Sequence, residues 1–242
     1  AEMSNNLLSA LTQETITFGA SAALDKAVVD QDCYRYSNLK ILAFTWNVAG
    51  FAPENSMQMK EFLNAFDRKN LPHIVTIGLQ EVVELKGLGG AFGLFSSEEK
   101  TLKKWADCFI NLLYMIDPQY YLASQEMLVG MASFNFIHRS VVNKVASLGI
   151  EEVKTGMMGM VGTKGYLVSS IAFEDKTLRL CNAHFKSGED NAESRAATID
   201  NLYLQYCNPS KSDLVLLFGD LNMRLCIDNQ DYARAIKDGR VN

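Results

Sequence analysis

The chain of 242 residues is short of several things: 4 Pro, 3 His and 2 Trp, with five cysteines and no Cys-x-x-Cys spacing. Few prolines beside 48% hydrophobic residues exclude a disordered or low-complexity chain. The odd cysteine count and scattered spacing exclude a disulfide framework and fit a reducing compartment. No apolar run reaches the roughly 20 residues that span a bilayer, and the N-terminus lacks the basic start and apolar centre of a signal peptide. A cytoplasmic protein, soluble or peripheral at membranes, is the expectation. Positive charge is also scarce: Lys and Arg total 23 against 28 Asp and Glu, a net charge of -5. The surface as a whole repels nucleic acid, so any polyanion must meet a local basic pocket.

What is present is a dense series of short apolar runs. Strands are predicted at Lys40–Val48, Ile74–Leu79, Tyr120–Met127, Val129–His138, Lys144–Val153, Gly165–Phe173, Leu178–Ala183 and Leu214–Phe218. Met59, Phe62, Leu63 and Phe66 share one face of a helix. A second helix is expected to start at Ser96, capped reciprocally with Glu99, with Leu102, Trp105, Phe109 and Leu112 inward. A third covers Asp190–Cys207, with Ile199, Leu202, Tyr203 and Tyr206 inward. Residues 1–37 read as an extension, helical around Ala20–Val29, and residues 38–242 as one α/β domain in which strands outnumber helices.

Four apolar strands run straight into residues that do chemistry. The first ends at Asn47, the second at Gln80 and Glu81, the seventh at His184, and the last at Asp220 and Asn222. Each alone has a plain structural reading: a turn amide for Asn47, a solvated charge for Glu81, a core imidazole for His184, an Asx turn for Asp220. Together they are oxygen donors and one imidazole delivered by rigid strand ends. Without Cys clusters or a His pair, the set suits a hard ion such as Mg²⁺ rather than zinc. A metal on phosphoryl oxygens, a water-activating carboxylate and a hydrogen-bonding histidine describe a phosphoester hydrolase. No Gly-x-Ser-x-Gly nucleophile competes.

Thr155-Gly-Met-Met-Gly-Met-Val-Gly-Thr-Lys-Gly165 adds glycines whose N–H groups can approach an anion, and the charge of Lys164. It does not match a Walker A loop, and a Gly-rich hairpin over a packed surface is its other reading.

Phe44-Thr-Trp-Asn-Val-Ala-Gly50, Gly78-Leu-Gln-Glu-Val-Val-Glu-Leu85, the Gly-rich Lys164 loop, Asn182-Ala-His-Phe185 and Gly219-Asp-Leu-Asn-Met-Arg224 resemble, in order, the motifs of inositol polyphosphate 5-phosphatases, most closely the synaptojanin-like branch. The resemblance implies the fold of the endonuclease/exonuclease/phosphatase superfamily, a two-sheet β-sandwich flanked by helices. It also implies Mg²⁺-dependent removal of the 5-phosphate from phosphoinositides or soluble inositol polyphosphates by direct attack of water. Carried over, Glu81 is the metal ligand with Asn47 beside it, Asp220 activates water, Asn222 holds the scissile phosphate and His184 stabilises the transition state. Lys164 binds a non-scissile phosphate, and Arg195, which stands where the family keeps an arginine, is a second substrate phosphate-binding residue.

The sequence departs from the family in three places. Thr163 replaces the usual Asn before Lys164, Tyr166 replaces a small residue, and Lys186–Asp190 is unusually acidic. Nothing after Arg224 matches the family's Pro-x-Trp-x-Asp-Arg and Ser-Asp-His motifs, so the C-terminal strands are expected to be missing from this chain. The apolar stretch Leu85–Phe95 is a candidate membrane contact, with packing on the domain as its alternative. Two other functions stay open: a nuclease or sphingomyelinase-like esterase of the same superfamily, and a truncated domain that binds inositol phosphates or a protein without turnover.

Overall fold

Among the described residues, nine strands form two sheets that share one interior and each turn an outer face to a helix. The computed structural model describes residues 16–17, 39–53, 59, 62–83, 91–128, 130–155, 164–207 and 211–223. In chain order the elements are β1 (Ile16–Thr17), β2 (Lys40–Asn47), β3 (Ile74–Gln80), α1 (Ala91–Ile116), β4 (Tyr120–Leu128), β5 (Met131–His138), β6 (Val145–Lys154), β7 (Gly165–Phe173), β8 (Lys176–His184), α2 (Ala192–Tyr206) and β9 (Leu214–Asp220). The first sheet has the order β1-β2-β3-β5-β4 and the second β6-β7-β8-β9. Both are mixed, since β2 with β3 and β8 with β9 run parallel while the other pairs are antiparallel.

The layers follow from period-two patterning. In β3, Val75, Ile77 and Leu79 face α1 and the helical residues 62–64, joining a core with Trp105, Phe109, Leu113 and Phe62. Between the sheets, Ile41, Ile74 and Ile137 meet Ile171, Phe173, Leu178 and Leu180. On the outer face of the second sheet, Val168, Cys181 and Ala183 pack under Leu202 and Tyr206 of α2. Trp105 and Phe109 are fully buried with stacked rings 5.7 Å apart, and burying such a side chain stabilises by about 1.5–3 kcal/mol.

The inner faces are graded along their length. Ile74, Thr76, Gly78 and Gln80 alternate on β3, and Leu178, Leu180, Asn182 and His184 on β8. One end of the interior is therefore apolar, its middle is amide and hydroxyl, and its far end carries the charged groups.

Two expectations are corrected. Helix α1 begins at Ala91, so Ser96 and Glu99 lie inside it and not at its start. Tyr203 is exposed, and the buried stripe of α2 is Arg195, Thr198, Leu202 and Tyr206. Residues Ala20–Val29, most of the Gly-rich loop (156–163), residues 85–90 of the candidate membrane segment and everything after Met223 lie outside the described residues. Among the described residues, no helix is long and apolar enough to cross a membrane.

Candidate active site

Strand pairing fixes which side chains meet. Asn47 pairs with Gln80 at the ends of parallel β2 and β3, and His184 pairs with Asp220 at the ends of parallel β8 and β9. Stacking the two sheets brings these ends together. Asn47 Nδ2 donates to Glu81 Oε1 at 3.1 Å and to Asp220 Oδ2 at 3.0 Å. His184 Nε2 lies 3.7 Å from Glu81 Oε1 and 3.5 Å from Asp220 Oδ2. Glu81, His184 and Asp220 each offer a ligand atom, all within 4.8 Å of one another.

The backbone is bent to achieve this. Glu81 has φ 56°, a left-handed conformation that costs a non-glycine residue about 1–3 kcal/mol and is concentrated at functional sites. Gly50 N donates to Glu81 O at 2.7 Å and Val82 N to Gly130 O at 2.9 Å, holding the bend from both sides. Gly219 (φ 125°) lies so close to β8 that a Cβ there would sit 2.1 Å from Ala183 O.

Lys164 Nζ donates to His184 Nε2, so the predicted phosphate-binding cation lies inside the cluster. Burial is the first cause that lowers the pKa of His184, reinforced by Lys164 and opposed by Asp220 and Glu81. Burial likewise lowers Lys164, opposed by Glu81 and Asp220. The site holds a neutral imidazole accepting from a lysine, beside two carboxylates that converge on one amide.

Asn222 and Arg195 hydrogen-bond to backbone around the site. Asn222 Nδ2 donates to Phe185 O at 3.0 Å, and its N–H donates to Asp220 Oδ1 at 3.1 Å, stapling the ends of β8 and β9. Arg195 is 4% exposed and donates through Nη1 to Lys186 O at 3.0 Å and Gly188 O at 2.7 Å. It clamps the loop that follows His184, where a phosphate-binding side chain was expected.

A layer of buried amides lies behind the site, in which the motifs name Gln80 and Asn182 without pairing them. Gln80 Nε2 donates to Asn182 Oδ1 at 2.7 Å and to Thr45 Oγ1 at 3.2 Å, and Asn182 Nδ2 donates to Ala132 O at 3.0 Å and Ser133 Oγ at 3.1 Å. The available signal was the polar residue that interrupts each apolar alternation one or two positions before Glu81 and His184.

The chain is 26% identical to the polyphosphatidylinositol phosphatase INP53 of Saccharomyces cerevisiae, over 83% of this chain and 18% of that protein. It is also 26% identical to human synaptojanin-1, over 94% of this chain and 16% of the relative. It thus spans less than a fifth of these relatives. The inositol polyphosphate 5-phosphatase domain of SpSynaptojanin, solved with inositol (1,4)-bisphosphate and calcium, has the same fold: TM-score 0.64, 22% identity, 84% of this chain and 58% of that one. A Cimex nitrophorin matches with TM-score 0.57 at 13% identity, over 83% of this chain and 66% of the nitrophorin. The family model for endonuclease/exonuclease/phosphatase family 2 matches residues 44–242, and the chain belongs to that family.

Proposed function

We propose that this chain carries the catalytic centre of a Mg²⁺-dependent phosphatase that removes the 5-phosphate from phosphoinositides or soluble inositol polyphosphates. The observation that carries the reading is the convergence of Glu81, His184 and Asp220 within 4.8 Å from both sheets. Two carboxylates this close repel one another, and a divalent cation with oxygen ligands relieves that repulsion. Glu81 and Asn47 would hold it, and it would supply neutralisation of phosphoryl oxygens.

The protein's own groups supply the rest. Asp220 orients and deprotonates the attacking water from the end of β9. His184 accepts from Lys164 through Nε2 and so aims that lysine's positive charge at the phosphoryl group where charge develops, which stabilises the transition state. Relatives named for phosphoinositide hydrolysis and a solved fold relative holding inositol (1,4)-bisphosphate support the inositol ring as substrate core. A net charge of -5 disfavours nucleic acid as an alternative polyanion. The cytoplasmic face of a membrane is where such a lipid would be met.

Phosphate release from phosphatidylinositol 4,5-bisphosphate and from soluble inositol trisphosphate, with and without Mg²⁺, tests the proposal against a DNA substrate. Release from DNA but from neither inositol compound would sink it. A second reading, binding without turnover, is favoured by Asn222, whose amide is spent on Phe185 O. Tight inositol phosphate binding with no release of phosphate would select that reading.

A further inference from the structure

Among the described residues, the interior between the sheets contains two amide-centred networks, and one of them abuts the catalytic end. Asn182 and Gln80 are 0% and 1% exposed. All three polar bonds of the Asn182 side chain reach the opposite sheet: its Oδ1 accepts from Gln80 of β3, and its Nδ2 donates to the Ala132 carbonyl and Ser133 hydroxyl of β5. Gln80 immediately precedes Glu81, and Asn182 is on the same face of β8 as His184.

The backbone is shaped around this contact. A Cβ at Gly78 would lie 2.5 Å from Asn182 Cγ and 2.7 Å from Phe218 Cε2. Only glycine lets the Asn182 amide lie against β3 there. An aliphatic pair would fill the same space but could slide, whereas hydrogen bonds weaken steeply with misalignment and so fix lateral position.

We propose that Gln80 and Asn182 are positioning residues, a buried amide lock that sets the spacing of Glu81 and His184 across the two sheets. The inference rests on the phosphatase reading for its kinetic consequence, while its geometric content stands apart from it. The second network provides an internal control. Asn135 accepts from Thr76 Oγ1 at 2.8 Å and donates to Ser169 Oγ at 2.7 Å and Ser124 Oγ at 3.0 Å, again bridging the sheets. It is just as buried, yet none of its partners adjoins a residue of the site.

The test compares Asn182→Ala, Gln80→Met and Asn135→Ala in the full chain by three readouts. These are the imidazole ¹⁵N signals of His184 in metal-free protein, Mn²⁺ affinity by electron paramagnetic resonance, and kcat with KM on soluble inositol trisphosphate. All three variants should unfold at lower urea. The two lock variants should also shift the His184 signals, weaken Mn²⁺ about tenfold and lower kcat about 10- to 100-fold with KM within twofold, since small misplacements carry costs of that order. Asn135→Ala should change none of these. If Asn182→Ala does not fold, Gln80→Met, which preserves side-chain volume, carries the same test. A Gln80→Met protein with parental His184 signals and Mn²⁺ affinity overturns the lock, as does an Asn135→Ala protein showing the same shifts. The His184 signals decide the matter even if the protein proves to bind its ligand without hydrolysing it.

Discussion

Asn47 and Asp220 are 173 positions apart in the chain and joined by a 3.0 Å hydrogen bond between sheets, with the same Asn47 nitrogen also donating to Glu81. One amide thus satisfies two carboxylates from opposite halves of the sandwich. Hydrogen bonds to charged groups contribute about 1.5–3 kcal/mol each. Asn47→Ala is expected to lower kcat/KM by about 10- to 100-fold, read as phosphate release. Asn47→Asp should be worse at equal Mg²⁺, because a third carboxylate then faces the other two. Activity in Asn47→Asp equal to the parent would show that the amide donor is dispensable.

Asp220 separates the chemical step from binding. Asp220→Asn keeps the Oδ1 that accepts from Asn222 N, so the end of β9 should hold its shape. A positioned general base contributes about 10²- to 10⁴-fold, and kcat should fall by that factor while KM changes less than about threefold. A large rise in KM with unaltered kcat would instead make Asp220 a binding residue.

Much of this was legible in sequence because the chemistry sits where apolar alternation stops. Strand β7 spans Gly165–Phe173 as expected, and β8 and β9 run on to His184 and Asp220 because polar residues keep the same alternation after the apolar ones end. Three features were not legible. The start of α1 at Ala91 contains Gly93, which reads as loop, so Ser96 looked like the better cap. The buried stripe of α2 contains Arg195 and Thr198, so hydrophobic periodicity alone turned Tyr203 inward. A charge near a catalytic motif also suggests a ligand, whereas Arg195 is spent on the Lys186 and Gly188 carbonyls, whose proximity only the fold creates. Gln80 and Asn182, 102 positions apart, carry no sequence sign that they are partners.

Gly219 sets how closely β9 approaches β8. Its φ of 125° is rarely open to other residues, and an added Cβ would sit 2.1 Å from Ala183 O and 2.7 Å from Ala183 N, both backbone atoms of the paired strand. Gly219→Ala must spread the parallel pair that registers His184 with Asp220. A loss of at least about 3 kcal/mol is expected, a fall in Tm of about 6–12 °C for a chain of this size. Thermal unfolding checks it, and a shift below 2 °C would mean the strand pair yields without cost.

The opposite end of the sandwich predicts how stability depends on pH. His73 Nδ1 accepts from the Lys40 backbone N–H at 3.1 Å, which requires a neutral ring at that nitrogen. Its pKa is lowered first by burial and then by electrostatic interaction with Lys40, His138 and Lys144. The unfolded chain therefore takes up a proton near pH 6.5 that the folded chain resists. The stability from the neutral ring is complete above that pH and is lost as pH falls from it towards the lower folded pKa. His73→Asn places an amide oxygen where Nδ1 accepts but cannot titrate. Between pH 7.5 and 5.5 the urea midpoint of the parent should fall more steeply than that of His73→Asn, and parallel slopes would assign the acid sensitivity to other groups.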